Sequence, residues 1–64
     1  MPPSSREIIQ LLEANGWAEA SQKGSHKHFK HPNKPGRVTV PHPVRDMPRG
    51  TLRSIEKQSG LKFR

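Results

Sequence analysis

Apolar residues are sparse along this chain, and where they cluster their spacing names the elements. Ile8, Ile9, Leu11 and Leu12 recur at the i, i+3 and i+4 intervals of one helix face. Ser4 and Glu7 precede them with the Ser-x-x-Glu spacing of a capping box, and Asn15-Gly16 supplies a left-handed closure. The pattern predicts a helix over 5–14. Residues 17–23, "WAEASQK", alternate instead: Trp17, Glu19 and Ser21 fall on one face, Ala18, Ala20 and Gln22 on the other. With Gly24-Ser25 behind them they read as a strand. A second strand over 25–31 stops at Pro32, and "HPNKPG" is dense enough in turn formers to predict a loop. "RVTV" alternates again, with Val38 and Val40 inward, Arg37 and Thr39 outward, and Pro41 as the stop. "HPVRDMPRG" is an irregular connection. Leu52 and Ile55 then mark a helix over 51–59, with Thr51 as N-cap or first-turn residue and Gly60 as C-terminal cap. Leu61 is placed to fold back on the last turn.

The order α-β-β-β-α predicts an α+β fold. Short loops between the strands predict a three-stranded antiparallel meander. Both helices belong on one face, because nothing else is available to cover it. Side chains alternate along a strand, so His26, His28 and Lys30 share one face and Lys27, Phe29 and His31 the other. Phe29 is the one large apolar residue of that strand, so its face should meet the helices. His26 and His28 then point to solvent beside Arg37 or Thr39, and Lys27 reaches water along its stem. Trp17 reads as core or core edge. His31 reads as a hydrogen-bonded strand-end residue, and His42, between two prolines, as a loop residue.

Composition narrows the classes. Sixty-four residues, 28% of them hydrophobic, allow a single domain over 1–64 with a thin core. Domains of this size lean on a disulfide, a metal or a partner. The absence of cysteine excludes disulfides and thiolate zinc sites. No apolar run approaches the ~20 residues of a membrane span. The N-terminal stretch lacks the basic start and apolar centre of a signal peptide. A soluble, cytoplasmic protein is the expectation. Twelve Lys and Arg against five Asp and Glu give a net charge of +7. Residues 20–45 contain no acidic side chain, while Lys23, Lys27, Lys30, Lys34, Arg37, Arg45 and all four histidines lie there. The complement of such a surface is a phosphate-rich partner or an acidic protein.

"KGSHKHFKH" concentrates the chemistry. His26 and His28, two apart on a strand, suit a shared metal ion, with His31 or His42 as further candidate ligands, but a tight site needs three or four ligands with outer-shell support. No carboxylate lies nearby in sequence, and surrounding cations repel a divalent ion, so no metal or other cofactor is expected. RNA chemistry fits the residue types better. RNA brings its own nucleophile, the 2′-hydroxyl; a histidine can move its proton, and lysines and arginines can hold the phosphate. RNA binding without cleavage would use the same residues and stays open at this point.

"GSHKHFKHP" after a helix ending in "NGW", then "GRVTVPHP", then "GTLRSIEKQSGL", resembles the HicA toxins of bacterial type II toxin–antitoxin systems. The likeness runs from about Ser4 to Leu61. It implies a fold like a double-stranded-RNA-binding domain, an endoribonuclease (mRNA interferase) that cleaves messenger RNA and arrests growth, and a HicB antitoxin as partner in a hetero-oligomer. It implies that His26, in Gly24-Ser25-His26, is the catalytic histidine and that the site holds no metal. The residues expected to bind RNA around it are Lys23, Ser25, His28, Lys30, Lys34 and Arg37. Glu56 stands where many members of the family carry an apolar residue; packed on the sheet it would weaken the second helix.

Overall fold

The computed structural model describes residues 2–63. Helix α1 spans Ser5–Ala14, strands β1, β2 and β3 span Ala18–Lys23, His26–His31 and Lys34–Pro41, and helix α2 spans Arg49–Ser59. The strands form one antiparallel sheet in the order β1-β2-β3. The predicted α+β order and meander are thus the observed ones. No helix among the described residues is long and apolar enough to cross a membrane.

Helix α1 starts where the capping box places it. The Glu7 N–H donates to Ser4 Oγ at 3.2 Å, and the Ser4 N–H donates to Glu7 Oε1 at 2.9 Å. Its buried arc runs through Ser5, Ile8 and Leu12, with Ile9 partly covered. Leu11, expected in the stripe, lies off the other border of that arc and is 43% exposed. Helix α2 begins earlier than the expected 51–59, because Pro48 is its N-cap: φ is already −58° and the missing donor is no loss there. The Leu52 N–H donates to Pro48 O at 2.8 Å, so Thr51 sits in the first turn without a side-chain cap bond. Gly60 closes the helix at φ 76°.

Two bulges alter the predicted alternation. In β1, Glu19 pairs with Phe29 but Ser21 pairs with His28, so Ala20 is an extra residue. Glu19 therefore shares a face with Gln22, and Ser21 with Ala18, unlike the alternation expected from the sequence. In β3 the strand starts inside the expected loop: His31 pairs with Lys34 across a two-residue turn of Pro32 and Asn33. The register then slips before Phe29 pairs with Val38, with Gly36 at φ 80° in the slipped segment.

The helices sit chiefly over β3. Ile8, Leu12, Trp17, Phe29, Val38, Val40, Met47, Leu52, Ile55 and Phe63 make one buried cluster, with Ile9, Val44 and Leu61 packed against it. The outer edge of β3 is capped: the Thr39 N–H donates to Gln58 Oε1 at 3.0 Å, and Gln58 Nε2 donates to Ser54 Oγ at 3.1 Å. Glu56 is half-buried, and its Oε2 accepts the Phe63 N–H at 3.0 Å and so holds the chain that folds back beyond α2.

Candidate functional site

Cross-strand pairs on one face of an antiparallel sheet point the same way, so the register sorts the candidates. Phe29 opposite Val38, and Lys27 opposite Val40, lie on the helix side. His26 opposite Lys23 and Pro41, His28 opposite Ser21 and Thr39, and Lys30 opposite Ala18 lie on the open side. Arg37, adjacent to buried Val38, is exposed and alternates to the open side. His26, His28, Lys23, Lys30 and Arg37 are thereby brought onto one face.

Among the described strand residues, that face carries no negative charge. The single carboxylate in the strand residues, Glu19, is on the helix side, where its Oε1 accepts from Lys27 Nζ at 3.0 Å. Gln22 Oε1 accepts from the same amine at 3.1 Å. Lys27 is thus neutralised within the molecule and is not part of the open cationic surface. Lys34 does not join it either. Paired with His31, it reaches to the C-terminal end of α2, where Nζ donates to Ser59 O at 3.4 Å.

His26 opens β2 directly after the Gly24-Ser25 turn. Gly24 has φ 59° at the first central position of this two-residue hairpin, where a II′ turn needs a positive φ. Nothing lies within 4 Å of the place its Cβ would take, so backbone conformation rather than space selects glycine. The His26 side chain is exposed and forms no hydrogen bond with another described residue. His28, half-buried, is held: Nδ1 lies 3.0 Å from Thr39 Oγ1. No group of three or more His, Asp or Glu side chains placed to hold one metal ion occurs among the described residues.

His31 is the strand-end residue the sequence predicted. Its Nδ1 accepts the Asn33 N–H at 3.0 Å, which leaves Nε2 to carry the proton donated to Asn15 O at 2.9 Å. Trp17 packs edge-on against the ring, with centroids 5.3 Å apart. His42 differs from the simple loop residue expected. Its N–H donates to Ser25 O at 2.7 Å, prolonging the β2–β3 ladder past Pro41. Its Nδ1 lies 2.6 Å from Oγ of Ser5, a buried residue of α1. Neither Ser5 nor this role of His42 was drawn from the sequence. The signal was the hairpin register: once Phe29 is set opposite Val38, His42 falls opposite Ser25.

The sequence model of the HicA toxin of bacterial toxin–antitoxin systems matches residues 5–61. The chain belongs to the HicA toxin family. A comparison with curated proteins returns no match. Membership makes the chain a toxin of a toxin–antitoxin pair and implies an antitoxin as the kind of partner it has. The matched span includes every strand, both helices and the Gly24-Ser25-His26 turn.

Proposed function

We propose that this HicA-family toxin is a metal-independent endoribonuclease that cuts messenger RNA in the cytoplasm and is neutralised by a HicB-type antitoxin. The observation that carries this reading is the placement of His26: exposed, free of side-chain partners, at a fixed turn, on a sheet face whose charges are all positive.

The chemistry follows from that placement. RNA supplies the nucleophile. His26 removes the proton from the 2′-hydroxyl as its oxygen attacks the adjacent phosphorus. The bond from phosphorus to the 5′-oxygen breaks, and that oxygen leaves with a proton taken from the solvent or from a protonated group at the site. The products are a 2′,3′-cyclic phosphate and a 5′-hydroxyl. Lys23, Lys30 and Arg37 hold the chain by its phosphates and offset the charge that grows on the transferring group. His28, with Nδ1 held by Thr39, presents its ring to the same phosphate. Ser25 offers its hydroxyl at the turn.

The test is cleavage of a defined RNA by the wild type and by His26→Ala, with the product ends analysed. Removing a proton-transfer group typically lowers the rate 10²–10⁴-fold. The variant should keep its melting temperature, because the side chain is exposed and holds no hydrogen bond to another described residue. A folded His26→Ala protein that cuts at the wild-type rate would overturn the assignment. A wild type that binds RNA tightly and never cuts it would leave a non-catalytic RNA-binding module.

A further inference from the structure

The exposed His26 side chain has no hydrogen-bond partner among the described residues to orient it, so its position rests on the backbone of the turn that carries it. That turn is tied down from behind. The His42 N–H donates to Ser25 O at 2.7 Å, one residue before His26. The His42 ring is itself fixed, with Nδ1 2.6 Å from Ser5 Oγ. Ser5 is 1% exposed and doubly joined to the same segment: its N–H donates to Val44 O at 2.8 Å, and its Oγ accepts the Val44 N–H at 2.9 Å. Residues 42 and 44 thus grip the first residue of α1 from either side of Pro43. A continuous line of hydrogen bonds runs from the helix through His42 to the peptide beside His26.

We infer that His42 is a positioning residue of the site, transmitting the rigidity of the α1 N-terminus to the Gly24-Ser25-His26 turn through the Ser5–His42–Ser25 bonds. This rests on the reading of His26 as the proton-transfer group. The His42 ring bonds Ser5 of α1 and so lies on the helix side, away from the RNA face; it acts through His26 and not on RNA. Without the ring bond the His42 backbone loosens, Ser25 O loses its donor part of the time, and His26 samples orientations in which proton transfer fails. An error of about 1 Å in such a group can cost 10²-fold in rate.

The experiment compares His42→Phe, which keeps a ring and loses the hydrogen bond, with His42→Asn, whose amide can reach the place of Nδ1. In single-turnover cleavage, His42→Phe should lower the rate constant at saturating enzyme ten- to a hundred-fold with RNA affinity unchanged, and His42→Asn should recover most of it. Adding Ser5→Ala to His42→Phe should bring little further loss of rate, since the Ser5–His42 bond is already gone, while the loss of the acceptor for the Val44 N–H lowers stability further. Hydrogen exchange of the His42 amide should quicken in His42→Phe while core amides keep their protection. A wild-type rate in a folded His42→Phe protein would overturn the inference, as would a loss that appears only in RNA affinity or that His42→Asn does not restore. If His26→Ala cuts normally, the reading of the site fails; the exchange measurement still decides whether His42 holds the turn.

Discussion

The ring of His31 lies so close over Gly16 that a Cβ on the glycine would fall 2.6 Å from His31 Nε2. The ring cannot swing away cheaply: it bonds Asn15 O on one side, the Asn33 N–H on the other, and meets Trp17 edge-on. Gly16 also has φ 92°, where a side chain is strained in any surroundings.

Gly16→Ala should therefore destabilise the fold by about 2–3 kcal/mol, combining backbone strain with the displaced ring. For a chain this short that is a fall in Tm of more than about 10 °C. Gly24→Ala and Gly36→Ala are the controls. Both positions have positive φ, but nothing lies within 4 Å of the added carbon. They should lose about 1 kcal/mol each. Equal losses at all three positions, in thermal unfolding followed by circular dichroism, would show that the His31 contact does not matter.

The elements were legible because each had a local signal: a capping box, a period, a turn residue. Val38, Val40 and Phe29 placed the helix face of the sheet, and that alone put His26 and His28 on the other. What was not legible depended on register. Nothing in "WAEASQK" announces that Ala20 is the extra residue, and so simple alternation put Glu19 and Ser21 on one face where the bulge separates them. Proline and glycine in "HPNKPG" describe a bulged strand as readily as a loop. Phe63 was passed over because the fold-back expected after Gly60 was read only as far as Leu61; the bond from the Phe63 N–H to Glu56 carries it on into the core. The Ser5–His42 bond joins residues 37 apart, beyond any pattern of spacing.

Charge neutralisation should separate two lysines that look alike in sequence. Lys30 is on the open face, whereas Lys34 donates to Ser59 O on the helix side. Lys30→Ala should weaken binding of single-stranded RNA by a similar factor for unrelated sequences and make the salt slope shallower by about 0.7. Lys34→Ala should leave both nearly unchanged. Trp17, Phe29 and Phe63 are all buried, so no indole or phenyl ring is available for stacking on bases. Filter or fluorescence titrations over a range of salt measure this. An equal effect of the two substitutions would show that RNA extends round to the helix side.

Cleavage should proceed at an undiminished rate in excess chelator. The open face offers His26 and His28 without a carboxylate beside them, and His28 Nδ1 is already engaged by Thr39. Activity that disappears in chelator and returns with zinc or manganese would move the chemistry from proton transfer by His26 to a metal held by the two histidines.

The antitoxin should act by covering the open face. That face holds Lys23, His26, His28, Lys30 and Arg37 with no carboxylate among the strand residues on its side, so an acidic surface complements it and gains association rate from the charges. A protein seated there excludes RNA from His26 whatever its own fold. Such a partner also binds only the folded toxin. At a hundred times its Kd it should add about 2.7 kcal/mol of stability, which a domain of this size registers as a clear rise in Tm. The deciding measurement is a competition with toxin limiting, in which labelled RNA and purified HicB-type antitoxin are mixed in varying ratio. Mutually exclusive binding, with cleavage falling in proportion to antitoxin bound, is the expected result. Substituting Lys23 and Lys30 together by Ala should weaken both ligands, because they share the surface. If a ternary complex forms and RNA is still cut, occlusion is wrong. If a ternary complex forms and cutting stops, neutralisation acts from another surface, and exposed Leu11 on α1 is the first place to look, since among the described residues it is the large apolar side chain left uncovered.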